Sequence, residues 1–246
     1  ISDEERIALT DKISFVIPVY NEEENLGPLL IELKRVADSQ GYNYEIVLID
    51  DGSSDRSLDV IKKMAAADNK VHYLSFVRNS GQSAALYAGF QHAKGDVIIT
   101  MDADLQNDPA DIPKLLQFYG EYDLVNGWRT DRRDTAWKKI GSRIGNYVRN
   151  RLTWETINDT GCSLKVMRAD MLSRIRMYQG FHRFLPTLMR LEGAKVIEVP
   201  VHHRPRMRGT SKYGNLKRGI QGLYDVMVVR WMIRRRLKIE IGERHV

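Results

Sequence analysis

Two aspartates one residue apart, Asp102 and Asp104, are the side chains of this sequence best placed to do chemistry. They follow an apolar run at 96–101 and precede Asn107-Asp108-Pro109, a helix-start signal. In extended chain, residues two apart point to the same side. The pair would then stand together at the carboxyl end of a parallel strand, where α/β sheets bind ligands. Two adjacent anions repel unless something positive lies between them. A hard divalent ion, Mg²⁺ or Mn²⁺, suits such oxygens, with phosphates completing its shell. Taken alone, the stretch reads equally well as a solvated acidic loop with a helix cap.

Three other stretches share this strand-end character. Leu48-Ile49-Asp50-Asp51-Gly52-Ser53-Ser54-Asp55 is a strand end, a tight glycine turn and a capped helix start. Capping by Ser54 or Asp55 leaves the second aspartate unexplained, and Asp50 or Asp51 could accept from a base or ribose. Ile17-Pro18-Val19-Tyr20-Asn21-Glu22 puts an aromatic and a carboxylate after another apolar run, suited to stacking on a nucleoside. By itself that motif is no more than a turn with a cap. Arg78-Asn79-Ser80-Gly81-Gln82-Ser83-Ala84-Ala85 opens a helix with small residues that allow a ligand close approach. The chain has neither G-x-G-x-x-G nor G-x-x-x-x-G-K-[ST], which argues against a dinucleotide oxidoreductase or a P-loop NTPase.

These residues need a frame that gathers strand ends along one edge. Strand patterns at 13–19, 44–50, 71–76 and 96–101 alternate with helical patterns at 22–38, 55–67 and 80–93. Strands separated by helical crossovers imply a parallel sheet covered by helices. The rest is less regular. Strands are expected at 123–126, 163–167 and 194–201, and helices at 112–119, 134–152, 169–175 and 184–192. From 213 to 238 runs one long amphipathic pattern with Leu216, Ile220, Leu223, Met227, Trp231 and Ile233 on roughly one side. No repeat or composition break interrupts 12–200, so one integrated domain with a C-terminal helical appendage is expected.

Composition narrows the class. With 246 residues, 43% hydrophobic and 28% charged, the chain can build a real core and is not a disordered one. A single cysteine, Cys162, rules out a disulfide framework and a cysteine-based zinc site. No apolar run approaches the roughly 20 residues of a spanning helix. The net charge of +6 hides an asymmetry: residues 204–246 hold twelve Lys/Arg against three acids, leaving a mildly acidic body. Such a tail suggests a polyanion, whether nucleic acid, diphosphate or an anionic membrane surface.

Together, in order at successive strand ends, the four stretches resemble the nucleotide-sugar half of a glycosyltransferase family 2 enzyme with the GT-A fold. Asp102-Ala103-Asp104-Leu105-Gln106 is similar to the same run in the polyprenyl-phosphate glycosyltransferases, a group that includes dolichol-phosphate mannose synthase. Asn126-Gly127-Trp128-Arg129, Asp159-Thr160-Gly161-Cys162-Ser163-Leu164-Lys165 and His182-Arg183-Phe184-Leu185-Pro186 resemble that group as well. So does the run from Arg204 through Arg206 and Lys212 to Gly214. The resemblance spans about residues 12–235 and says nothing of the sugar.

The resemblance implies an α/β fold: a Rossmann-like, mostly parallel sheet flanked by helices, with a C-terminal amphipathic juxtamembrane helix. It implies a GT-A catalytic domain over 1–202, divided into a nucleotide-sugar half at 12–106 and an acceptor half at 107–202. Residues 203–246 would form a basic phosphate-closing loop and an interfacial helix. Pro18, Tyr20, Glu22 and Asp51 would hold the nucleoside, and Asp102, Asp104 and Gln106 would hold Mg²⁺ or Mn²⁺ and the diphosphate. Arg129 and Arg143 would face the lipid phosphate, and Arg206 and Lys212 would neutralise phosphates at the closing loop. Where some relatives carry a serine or an acid near the acceptor, this chain has Tyr147 and Ser163; Asp159 is the candidate catalytic base.

The implied reaction is inverting transfer of a sugar from a UDP- or GDP-sugar to a polyprenyl phosphate, undecaprenyl or dolichyl. It would take place at the cytoplasmic face of a membrane, the protein being peripheral or anchored by a segment outside this chain. The alternative is a family 2 enzyme acting on a soluble saccharide or protein. A nucleic-acid partner is not expected, since no helix-turn-helix, zinc-finger or RNP-like pattern is present; a homo-oligomer is left open. Cys162, His202 and His203 read as packing or strand-edge residues, and His182 as structural or substrate-facing. Arg230, Arg234, Arg235, Arg236 and Lys238 around Trp231 favour an interfacial helix.

Overall fold

The strand segments at 13–19, 44–50 and 97–100 are buried on both faces, which is why stretches such as 46–49 and 97–99 are apolar without alternation. The computed structural model describes residues 11–130, 149–205 and 215–237. Seven strands form one sheet: β1 (Ile13–Val19), β2 (Tyr44–Asp50), β3 (Val71–Ser75), β4 (Val97–Thr100), β5 (Leu124–Arg129), β6 (Lys165–Arg168) and β7 (Val196–Val201). Their order is β3-β2-β1-β4-β6-β5-β7. All run the same way except β6, which is antiparallel to both β4 and β5.

The reversal of β6 decides what reaches the site. β6 begins at the edge where its neighbours end, with Lys165 opposite both Thr100 and Asn126. The residues just before it, 155–164, therefore lie along the carboxyl edge. Register brings the other motifs to the same edge, with Val19 opposite Asp50 and Asp50 opposite Ser75.

Seven helices carry labels here: α1 (Leu26–Ser39), α2 (Ser57–Ala67), α3 (Gln82–His92), α4 (Ile112–Leu116), α5 (Ala169–Leu172), α6 (Leu185–Leu191) and α7 (Asn215–Arg235). Short 3₁₀ turns occupy Pro109–Asp111 and Phe181–Phe184. The expected helix at 112–119 begins at Ile112, after the 3₁₀ turn opened by Pro109 and capped by Asp108, but ends at Leu116, where the N–H groups of Phe118 and Tyr119 bond carbonyls three residues back. Of the expected helix at 134–152, only 149–152 falls among the described residues, and it is helical.

Each face of the sheet carries one apolar cluster. Phe15, Ile17, Leu48 and Ile99 point into the first, against α1 residues Leu29 and Leu33. Val16, Val47, Ile49 and Ile98 point into the second, with Phe181, Phe184, Leu188 and the α7 residues Val226 and Val229. Each such burial contributes about 1.5–3 kcal/mol.

α7 thus shares a core with the body and is more than an appendage. Its outer stripe is also apolar: Leu223, Tyr224, Met227 and Trp231 are exposed, while Val228, Met232 and Ile233 pack partly against the second cluster. Leu223, Met227 and Trp231 therefore do not share a face with Ile233, as the sequence pattern suggested. The helix is apolar on two sides, and periodicity alone cannot tell which stripe faces the core. Among the described residues no helix is long and apolar enough to cross a membrane.

Candidate active site

Loops after β1, β2 and β3 are laced together by their own polar side chains. Asn21, held at φ +55°, donates its backbone N–H to Ser53 Oγ (3.0 Å) and accepts at Oδ1 from the Ser54 N–H (2.7 Å). The Glu22 N–H donates to Ser57 Oγ at 2.8 Å, and Asn25 Nδ2 donates to Glu22 Oε2 at 2.6 Å. Half-buried Pro18, Tyr20 and Glu22 are thereby brought beside residues 50–57. The tight turn between β2 and α2 needs Gly52: its φ is +66°, and a Cβ there would lie 2.5 Å from the Arg78 carbonyl carbon.

Asp51 spends its carboxylate inside the protein. It accepts from the Ser80 N–H (2.6 Å), the Gly81 N–H (2.9 Å) and Asn79 Nδ2 (3.0 Å). Burial pushes this carboxyl up, the two N–H groups pull it down, neighbouring Asp50 pushes it up, and the net direction is upward. Asp51 fastens the 78–81 loop to the end of β2. Asp50 is equally occupied, accepting from Ser75 Oγ at 3.0 Å and the Ser53 N–H at 3.3 Å.

Asp102 and Asp104 come together by a different route from the expected one. β4 stops at Thr100, and the pair sits on a turn that ends with Leu105 at φ +62°. Turn geometry, not strand alternation, makes the two carboxylates neighbours. Burial and then repulsion by Asp104 push the Asp102 carboxyl up to about 6. Gln82 Nε2 donates to Asp102 Oδ1 at 2.8 Å, and the Gln106 N–H donates to Asp104 Oδ1 at 3.1 Å. The Gln106 side chain turns away, its Nε2 lying 3.4 Å from His203 Nε2 and 3.5 Å from the Arg204 carbonyl oxygen.

At the end of β5, Arg129 forms a buried ion pair with Asp159. Asp159 Oδ2 accepts from Arg129 Nε at 2.7 Å and from the Arg129 N–H at 3.2 Å, and Oδ1 accepts from Nη2 at 2.8 Å. Only 17% of the Arg129 side chain and 8% of the Asp159 side chain is exposed, so solvent screens the pair little. Burial would raise the Asp159 carboxyl, but Arg129 outweighs it and holds the group below the usual carboxylate range. Burial opposes the Arg129 charge, Asp159 outweighs that too, and the guanidinium stays firmly protonated. A carboxylate so occupied is a poor proton acceptor. The expectation of Asp159 as base gives way to that of Asp159 as the residue that holds Arg129.

Lys165 is a residue the sequence did not single out. It is fully buried, and its Nζ donates to Asn126 Oδ1 (2.7 Å), the Thr160 carbonyl (3.2 Å) and the Cys162 carbonyl. Desolvation lowers its pKa, while its charge bears on both Asp102 and Asp159. Glu198 was missed as well; it accepts from the backbone N–H groups of Asn158 (2.6 Å) and Asp159 (2.7 Å) and so fixes the turn beneath Arg129. A lysine heading an apolar strand was the available signal for the first; nothing local marked the second. Cys162 is buried, with its thiol pushed up by desolvation, as a packing residue would be. His202 caps the strand edge by bonding Asp111 through Nδ1 (2.9 Å) and its backbone N–H (2.7 Å). Arg143, Tyr147, Arg206 and Lys212 lie outside the described residues.

Residues 14–176 match the family described as glycosyl transferase family 2. The chain belongs to that family. Two curated relatives, each named undecaprenyl-phosphate 4-deoxy-4-formamido-L-arabinose transferase, come from Edwardsiella ictaluri (41% identical over 217 residues) and Pectobacterium carotovorum (43% over 219 residues). Each alignment covers 87% of this chain, and the chain spans 66% of the length of these relatives. Among solved structures, glucosyl-3-phosphoglycerate synthase from Mycobacterium tuberculosis, crystallised with Mn²⁺ and uridine-diphosphate-glucose, superposes with a TM-score of 0.67 at 18% identity. That match covers 92% of this chain and 82% of the other. A mannosyltransferase from Pyrobaculum calidifontis in complex with GDP-Man and Mn²⁺ gives 0.63 at 15% identity, covering 93% and 65%. The family 2 chain thus has the GT-A-like α/β fold, with a mostly parallel sheet between helices.

Proposed function

We propose that this family 2 protein transfers a sugar from a nucleoside-diphosphate sugar to a polyprenyl phosphate, at the cytoplasmic face of a membrane. The observation that carries the reading is one cleft edge with two kinds of charge. Asp102 and Asp104 crowd on one side, and a buried, fixed Arg129 faces them close enough for its charge to act on Asp102. Such a site suits a cation-bound diphosphate meeting a second phosphate. The names of the 41–43% identical relatives support undecaprenyl phosphate as the acceptor class.

The donor set fits Mg²⁺ or Mn²⁺ in kind. Two repelling carboxylates, one pushed up to about 6, are relieved by a hard cation. Among the described residues no group of three or more His, Cys, Asp or Glu converges, so substrate oxygens would complete the shell. Asp102 and Asp104 would hold the metal, with Gln106 joining them by resemblance. When bound, the metal would supply charge stabilisation for the leaving diphosphate.

The protein's own residues then have defined tasks. Pro18, Tyr20 and Glu22 line the nucleoside side, and Asp51 fixes that pocket. Arg129 presents its remaining N–H edge to the acceptor phosphate, a geometry that guanidinium matches well. A phosphate oxygen of the acceptor attacks C1 of the sugar as the C1–oxygen bond to the diphosphate breaks, inverting C1. The attacking oxygen is already anionic, so no protein base has to take a proton. Arg143, Arg206 and Lys212 remain as further phosphate contacts, by resemblance.

The outer stripe of α7 supports the membrane surface as a partner. Exposed Leu223, Tyr224, Met227 and Trp231 are followed by exposed Arg234, Arg235 and Arg236, the pattern of a helix lying in an anionic interface. Exposed Trp154 extends the stripe, lying under the Arg230 guanidinium at 5.3 Å. The test is a screen of radiolabelled UDP- and GDP-sugars with undecaprenyl or dolichyl phosphate and Mn²⁺. Label is expected to partition into organic solvent. Label that only ever enters soluble saccharide or protein would hand the reading to a soluble acceptor.

A further inference from the structure

Gln82, the first residue of α3, donates to Asp102 Oδ1 at 2.8 Å, yet the site as described gives it no task. That bond limits rotation of the Asp102 carboxylate. Where Gln82 stands depends on how the start of α3 is held. The turn at 178–184 grips it twice: Gln179 Nε2 donates to the Ser80 carbonyl, and His182 Nδ1 lies 2.7 Å from Ser83 Oγ.

The same turn is gripped from its far side by α7. Phe181 and Phe184 share the second cluster with Val226 and Val229. Gly180, at φ +83°, lies directly against the Asp225 carboxylate, and any Cβ there would collide with Oδ2. Asp225 is 6% exposed, and its Oδ2 has no hydrogen-bond partner among the described residues. A buried polar atom without a partner is costly and calls for an explanation. Here it marks how closely α7 seats on the turn, a seat only glycine leaves open.

We propose that Gln82 is a positioning residue for the carboxylate of Asp102, and that α7 sets its place through the Gly180 turn and α3. Losing a residue that orients a metal's ligand typically costs about 10–100-fold in metal affinity. The donor site is then completed by a helix from the far end of the chain, the one whose outer stripe faces the proposed membrane. The inference rests on Asp102 being a metal ligand.

Mn²⁺ binding in the presence of UDP, followed by electron paramagnetic resonance, reads the effect without turnover. Gln82→Ala is expected to raise the Mn²⁺ concentration for half-saturation about 10–100-fold. Gln179→Ala, at an exposed residue that bonds the Ser80 carbonyl, is expected to raise it several-fold, and Gly180→Ala likewise. The thermal midpoint of Gln179→Ala without metal is expected to stay at the wild-type value, which separates the effect from general destabilisation. Wild-type Mn²⁺ affinity in Gln82→Ala overturns the positioning role. Wild-type affinity in Gln179→Ala overturns the link through the turn, even where Gly180→Ala does not fold. No Mn²⁺ binding by the unaltered protein, or full binding by Asp104→Asn, refutes the metal site itself.

Discussion

Replacing Asp159 separates two roles that the sequence alone could not. As a base, Asp159 would take a proton during transfer. As the structure has it, Asp159 accepts three hydrogen bonds from Arg129 and holds the guanidinium in place. Breaking a buried pair by removing one partner costs about 3–5 kcal/mol. For a chain of this size, Asp159→Ala should therefore lower the thermal midpoint by roughly 6–20 °C. Asp159→Asn keeps one oxygen acceptor and should lose less.

The kinetic signature differs more sharply. A hydrogen bond to a charged group contributes about 1.5–3 kcal/mol. If Asp159→Asn lets Arg129 drift and one such bond to the acceptor is lost, the acceptor KM should rise about 10–150-fold, at tenfold per 1.4 kcal/mol. kcat should fall far less. Removing a true general base would instead cut kcat about 10²–10⁴-fold. Steady-state transfer to a short-chain polyprenyl phosphate at pH 7 decides between them. An unchanged acceptor KM with a collapsed kcat would refute the positioning role.

Two further outcomes follow from the outer surface and from Asp225. Neutralising Arg234, Arg235 and Arg236 together should weaken binding to phosphatidylserine-containing vesicles by about 1 kcal/mol per residue; unchanged sedimentation with vesicles would reject the interfacial helix. Burial raises the Asp225 carboxyl above its ordinary value, with the Arg183 charge opposing it in part. Its charge therefore costs stability once the pH rises past its unfolded value and through its folded one, and costs nothing below both. Asp225→Asn should raise the thermal midpoint at pH 7 and lose that advantage near pH 4, and an equal gain at both pH values would contradict the burial argument.

The first hundred residues were legible because each of their elements is locally consistent. An uninterrupted apolar run such as 46–49 can be satisfied only between two covered faces, and the α1 positions Leu26, Leu29, Leu30, Leu33 repeat at helical spacing. Strand direction was not legible. Nothing within Lys165–Arg168 says that it runs against its neighbours, since direction is set by where the preceding chain arrives. Asp102 and Asp104 stood out by their spacing, though the strand before them ends at Thr100, one residue short of the expected end, and a turn brings them together. The partner of Arg129 was hidden for another reason: Asp159 lies 30 residues away, and only the reversed strand brings it back.

That reversal also accounts for the electrostatics of the cleft. Had β6 run parallel to β4, Lys165 would begin at the amino edge, and Asp159 with it. Instead a buried lysine, an arginine and a carboxylate are delivered to the edge where Asp102 and Asp104 stand. The anionic pair alone would repel a phosphate acceptor, and a bound divalent cation would cancel that repulsion. The Arg129–Asp159 pair is close to neutral and adds no net positive charge. Lys165 supplies the unbalanced positive charge from beneath, fixed by three oxygen acceptors, and it acts on both groups without touching solvent. Lys165→Met, which keeps the length and removes the charge, should therefore weaken acceptor binding even where Arg129 and Asp159 are intact, because the charge that tips the cleft toward phosphate comes from the floor and not from its walls.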